Sequence, residues 1–195
     1  YISTAGIFDG KKETYDDWDT PNPLNHYGRS KYNAEKFVIE NSKKYIICRA
    51  GWMMGGGKKK DKKFVGKIIN QINNGKKEIF VVNDKLGTPT YTIDFAKNVK
   101  LLIENNETGL FNLICDERTS RLEVAKFIIT KLNLKSKIKI TEVESNFFKN
   151  EYFAKRPYSE ILIPKRLKLK KLYTMRSWKE SLTEYLDLNF NEEIK

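Results

Sequence analysis

Histidine is almost missing from this chain. A single one, His26, stands among 195 residues, too few for a His cluster; it reads as a turn residue and no metal site is expected. Cysteine is scarce as well. Cys48 and Cys115 both sit in apolar, strand-like runs and read as small core residues in a reducing compartment, not as a disulfide framework or a metal site. No apolar run is long enough to span a bilayer, so no membrane partner is expected. The opening, Tyr1-Ile2-Ser3-Thr4, lacks the basic and apolar regions of a signal peptide, and a cytoplasmic protein is expected. There is no internal repeat and no low-complexity linker. A G-x-G-x-x-G turn for a dinucleotide pyrophosphate is also lacking. Gly55-Gly56-Gly57-Lys58 does not replace it: the spacing misses the phosphate-loop pattern, and Lys59 stands where that pattern needs a hydroxyl.

What the chain has in excess is lysine. The net charge is +12, with 32% charged and 39% hydrophobic residues, a balance that suits a globular domain with one sizeable core and a satellite lobe. The densest basic runs are Lys58-Lys59-Lys60-Asp61-Lys62-Lys63 and Lys165-Arg166-Leu167-Lys168-Leu169-Lys170-Lys171. Either could bind phosphates. Yet lysine outweighs arginine, it is scattered through every segment, and no DNA- or RNA-binding module is recognisable, so no nucleic-acid partner is expected. The Lys58–Lys63 run reads as a solvated loop.

Strand-like and helical patterns alternate along the chain, which argues for an α/β layered fold. Tyr1 to Thr4 reads as the end of a buried strand, and Ala5 to His26 as a long polar, site-shaping loop. A helix follows from about Tyr27 to Asn41, then the continuous apolar run Tyr45-Ile46-Ile47-Cys48 of a buried parallel strand. Asp61 to Asn74 is a helix closed by Gly75. Glu78–Val82, Leu110–Cys115 and Lys137–Val143 read as strands; Tyr91–Glu104 is a helix with Thr92 as N-cap. Ser120-Arg121-Leu122-Glu123 is a capping box opening another helix. Pro164 to Leu172 and Ser177 to Leu186 are the last helical stretches.

The most telling stretch is Tyr27-Gly28-Arg29-Ser30-Lys31. A Tyr and a Lys four apart stack on one helix face. A phenol ordinarily titrating near 10 must be brought down by roughly 3 pH units to exchange protons near neutrality, and an ammonium beside it supplies part of that. A second such pair, Tyr32 and Lys36, lies round the helix. Tyr27 and Lys31 continue into Ala34 and Val38 at helical spacing, which predicts a stripe facing the core, and the Thr4 hydroxyl ends the strand upstream.

Taken in order, Tyr1-Ile2-Ser3-Thr4, Phe8-Asp9-Gly10, Pro21-Asn22-Pro23-Leu24-Asn25, Tyr27-Gly28-Arg29-Ser30-Lys31, Arg49-Ala50-Gly51-Trp52, Asn83 to Thr90 and Arg156-Pro157 resemble the extended short-chain dehydrogenases, in their dTDP-4-dehydrorhamnose reductase branch. The resemblance covers nearly the whole chain. It implies an incomplete Rossmann-type parallel sheet with helices on both faces and a smaller C-terminal substrate lobe, mainly within 75–190 of a domain over 1–195. Against the family, the chain reads as a C-terminal part cut at the fifth strand, with roughly 90–100 residues, about four βα units, before it. The implied reaction is NADPH- or NADH-dependent reduction of a nucleotide-diphosphate 4-keto sugar, with the cofactor held only when that preceding part is present. Thr4, Tyr27 and Lys31 are the implied catalytic residues, and Ile2, Tyr27 and Lys31 the cofactor contacts. Thr4, Ala5, Trp52, Thr88 and Arg156 are the implied substrate contacts. A homodimer is an allowed assembly. The family reads Ser-Thr-Asp-Tyr where this chain has Ser3-Thr4-Ala5-Gly6, which points to altered substrate handling. The rival reading is a non-catalytic sugar-nucleotide-binding or regulatory subunit that keeps the fold, as the regulatory subunit of methionine adenosyltransferase does.

Overall fold

A computed structural model of the protein describes residues 1–151 and 154–190. Strand β1 (Ile2–Thr4) runs into a 3₁₀ turn at Ala5–Ile7, followed by β2 (Thr14–Tyr15), helix α1 (His26–Asn41), β3 (Ile46–Ala50) and β4 (Trp52–Met54). Next come α2 (Gly57–Lys60), α3 (Phe64–Asn73), β5 (Glu78–Val82), β6 (Leu86–Gly87), β7 (Pro89–Tyr91), α4 (Thr92–Glu104) and β8 (Gly109–Leu113). The rest is β9 (Thr119–Ser120), α5 (Arg121–Lys131), β10 (Lys139–Val143), a 3₁₀ turn at Ser145–Phe148, β11 (Ile161–Leu162), α6 (Lys165–Leu169) and α7 (Trp178–Phe190).

The main sheet has the order β1-β3-β8, with both pairings parallel. Side chains alternate across a strand, so β3 presents two different faces. Cys48 and Ala50 join a large core cluster with Phe95 and Leu102 of α4. Arg49 points the other way and forms a two-pronged pair with Glu35 of α1, its Nε and Nη2 donating at 2.9 and 2.8 Å. Helices thus cover both faces of the sheet, as a Rossmann-type fold requires. The Arg49 and Glu35 side chains are only 3% and 1% exposed. A carboxylate and a guanidinium this deep tolerate burial because each neutralises the other in fork geometry.

Ala5 to His26 is mainly loop, as its composition suggests, but it is pinned by buried apolar anchors. Ala5, Ile7, Phe8 and Tyr15 are buried in a second core cluster with Ile114 and Leu162. The Phe8 and Tyr15 rings stack at 4.2 Å, and β2 pairs in parallel with β11. The acids and glycines between these anchors hid the apolar ones.

β5 and β10 pair in parallel over five residues with α5 against them, and Ile79 and Val81 of β5 join the same core cluster as Cys48 and Ala50. β8, inside the span 75–190, is the third strand of the main sheet. The capping box forms as read, with Glu123 N donating to Ser120 Oγ and Ser120 N to the Glu123 carboxylate. Two local readings are corrected. The N-cap of α4 is Tyr91, and Thr92 is already helical. Lys58–Lys60 lie in the helical turn α2, not a loop, and Asp61 after them is buried, accepting the Tyr185 hydroxyl at 3.0 Å. Both cysteines are buried and free. Among the described residues, no helix is long and apolar enough to cross a membrane.

Candidate active site

The site is organised by the seating of α1 on the end of β1. Asn25 caps the helix: its side-chain oxygen accepts from Gly28 N at 2.9 Å, while its Nδ2 donates to the Lys155 carbonyl at 2.9 Å. His26 is therefore the first helical residue and not a turn residue. Gly28 is buried, and a Cβ there would collide with the carbonyl oxygen of Gly6. Only glycine lets the helix backbone lie this close to the strand end.

That seating decides where the Tyr-Lys pair points. The predicted stripe turns only partly inward: Lys31, Ala34 and Val38 are half-buried beside the fully buried Gly28 and Glu35, while Tyr27 at its start is 55% exposed. The close approach at Gly28 and the ion pair at Glu35 centre the inward face of the helix, and Phe37 and Ile39 are left exposed. Tyr27 instead lines a groove of about 410 Å³ with Leu24, Asn25, Arg29, Lys155 and Arg156. Lys31 reaches back to β1, where its ammonium donates to the Ile2 carbonyl at 2.6 Å and lies 4.5 Å from the Tyr1 ring centre. The second pair is a local contact: Lys36 lies over its own Tyr32 ring at 5.1 Å, and Tyr32 packs on the second core cluster. Thr4 caps the start of the 3₁₀ turn, its Oγ1 accepting from Gly6 N at 3.2 Å. Ala5 is buried and offers backbone only. Ile2 is 56% exposed.

Across Gly6 from α1 stands a second group of side chains. Trp52 begins β4, held by its own N–H to the Thr88 carbonyl at 2.8 Å. Thr88 itself is buried. Gly87 leaves room for the indole, which a Cβ there would strike. Trp52 Nε1 donates to Glu160 Oε2 at 2.8 Å, and the Arg121 guanidinium lies 3.7 Å from the indole centre and 4.7 Å from that of Phe64. Burial pushes the Arg121 guanidinium down to about 10; the Glu160 carboxylate opposes that fall and the Arg156 charge adds to it. Arg121 and Glu160 were not singled out from sequence. The first is hidden inside a capping box and the second follows the Arg156-Pro157 motif, and no spacing links either to Trp52. Among the described residues, no group of His, Cys, Asp or Glu side chains is arranged to hold a metal.

A parallel sheet clad by helices on both faces, with a Tyr and a Lys on the helix seated at the end of its edge strand, defines a protein of the short-chain dehydrogenase class. The family model described as the RmlD substrate binding domain matches residues 1–190, and the chain belongs to that family. It is similar to the structure of a dTDP-4-dehydrorhamnose reductase from Clostridium acetobutylicum, with a TM-score of 0.88 and 36% identity over 96% of this chain and 64% of that one. The dTDP-4-dehydrorhamnose reductase of Bacillus anthracis in complex with NADP gives 0.88 and 33%, over 97% of this chain and 65% of that one. Methionine adenosyltransferase 2 subunit beta of Danio rerio is 28% identical over 70% of this chain, and the match spans 44% of that relative's length. The chain thus spans less than two thirds of these relatives.

Proposed function

We propose that the whole protein reduces the 4-keto group of a nucleotide-diphosphate sugar with NADPH or NADH, as the reductases it resembles are named for doing. The observation that carries this reading is the seating of Gly28 on Gly6, which brings the helix turn bearing Tyr27 to the strand end bearing Thr4. Thr4 Oγ1 already accepts from Gly6 N, so its own hydrogen remains for the substrate carbonyl oxygen. Tyr27, exposed at the groove, gives its proton to that oxygen. The ammonium of Lys31 has three donors, of which Ile2 takes one; the others fit the hydroxyls of a ribose. A reduced nicotinamide supplies the hydride. Its pyrophosphate needs a glycine-rich turn that these residues do not contain. Arg156, on the Tyr27 groove, is assigned to the diphosphate, and Trp52 to the sugar or base through the part of its ring that Arg121 leaves uncovered.

The test is turnover by the whole protein of a dTDP-linked 4-keto-6-deoxy sugar with NADPH, followed by loss of the reduced-nicotinamide absorbance. Wild type should turn over and Tyr27→Phe should be slower by about a hundredfold or more. The similarity to the methionine adenosyltransferase subunit favours a second reading, a sugar-nucleotide-binding or regulatory subunit, which predicts tight binding with no turnover.

A further inference from the structure

Glu160 brings a carboxylate to the site that the reaction above does not use. Trp52 takes one of its oxygens, Oε2. The other, Oε1, lies 3.4 Å from the point where a Cβ on Gly6 would stand, and Thr4 Oγ1 lies 3.5 Å from the same point. Among the described residues no donor reaches Oε1. Gly6 has no side chain to fill the space between, so the carboxylate and the Thr4 hydroxyl border one small volume.

Glu160 is held there from three directions. Its N–H donates to the Leu86 carbonyl at 2.9 Å, and Leu86 N donates to the Tyr158 carbonyl at 2.9 Å, which fixes the backbone on β6. The indole fixes the head group. Arg121 stacks on the indole, and the Glu160 carboxylate offsets part of the cost of burying its charge. A carboxylate accepts hydrogen bonds and cannot donate them. A fixed one with a free oxygen therefore selects for donors and against other anions, since discrimination is built from repulsion as much as attraction.

We propose that Glu160 determines substrate specificity: Oε1 accepts a hydrogen bond from a hydroxyl or amino group of the sugar ring presented to Thr4, and the site turns away sugars that carry a carboxylate. This rests on the sugar-nucleotide reading above. A hydrogen bond to a charged acceptor, or the repulsion of a second anion, makes a difference of at least about tenfold in affinity.

The experiment is calorimetric titration of the whole protein with dTDP-glucose, dTDP-glucuronate and dTDP, which share base and phosphates. Wild type should bind dTDP-glucose at least about tenfold more tightly than dTDP-glucuronate. Glu160→Gln keeps an oxygen for the Trp52 indole and should bring the two within about threefold. Equal affinity of wild type for the two sugars, or a ratio unchanged by Glu160→Gln, overturns the assignment. So does binding of dTDP as tight as that of both sugars, because the sugar end then makes no contact with Glu160. If none of the three binds, the sugar-nucleotide reading itself falls and this inference falls with it.

Discussion

Gly6 separates two edges of the site that are held in different ways. On the α1 edge, the Tyr27 side chain is 55% exposed and its phenol meets no partner among the described residues. Its position comes from the backbone beneath it: the Asn25 cap, the contact of the adjacent Gly28, and the buried pair of Arg49 with Glu35 about two turns along. On the indole edge the side chains hold each other, with Arg121 on Trp52, Trp52 on Glu160 and Gly87 under the ring. On the proposed reading, Tyr27 gives up a proton from a place where nothing competes for it. A surface that must recognise a shape works best when it is already locked. Damage to the two edges should therefore separate rate from affinity and stability.

The largest effect should come from breaking what the first edge stands on. Glu35→Ala leaves the Arg49 charge buried with no counter-charge on α1 and should cost about 3–5 kcal/mol, read from urea unfolding. Replacing both residues by apolar ones, Glu35→Leu with Arg49→Met, should restore most of that loss. A single-variant cost below about 1 kcal/mol would mean that α1 is held elsewhere.

Tyr27→Phe sharpens the contrast from the other side. Turnover should fall about a hundredfold or more, close to 3 kcal/mol in barrier, with the unfolding midpoint unmoved because the lost hydroxyl packs on nothing. An unfolding shift as large as the kinetic one would show that the phenol is structural.

Trp52→Phe should show the reverse pattern. It removes the hydrogen bond to Glu160 and part of the surface under Arg121. The expected cost is about 1–2 kcal/mol in stability and a raised KM for the sugar nucleotide, with kcat within about threefold of wild type. A fall in kcat comparable to that of Tyr27→Phe would erase the distinction between the edges.

The same contrast explains what could be read in advance. Tyr27 and Lys31 share a helix, so the i,i+4 rule finds them, and the Ser120 capping box is as local. Periodicity found the inward side of the same helix only approximately, because Gly28 and Glu35, beside the half-buried Lys31, Ala34 and Val38, make the fully buried contacts. Phe8 and Tyr15 were masked by the polar residues around them, and their burial depends on pairing with Ile161–Leu162, far along the chain. Glu160 meets Trp52 across 108 residues, and no local pattern encodes a contact of that separation. Each residue of the indole edge has an ordinary local reading, as a strand start, a helix first turn or a loop, and only tertiary folding turns the set into a site.

The smallest effect should come from the most conspicuous charges in the sequence. Lys58, Lys59 and Lys60 lie together in α2 with their side chains exposed, and Lys58 lies over the Phe190 ring at 6.0 Å. An exposed cation–ring contact is worth about 0.5–1 kcal/mol at most, and three like charges on one turn repel each other by a comparable amount. α2 is anchored by something else, since Asp61 just beyond it accepts from Tyr185 of α7 in the core. Replacing the three lysines by alanine should therefore leave stability within about 0.5 kcal/mol of wild type. Neither edge of the site includes α2, so KM for the sugar nucleotide should stay within about twofold at physiological salt, where exposed charges more than about 8 Å apart are screened. A KM rise of tenfold or more that grows as salt is lowered would reveal a phosphate contact at α2, and the site would then have a third edge, made of lysines.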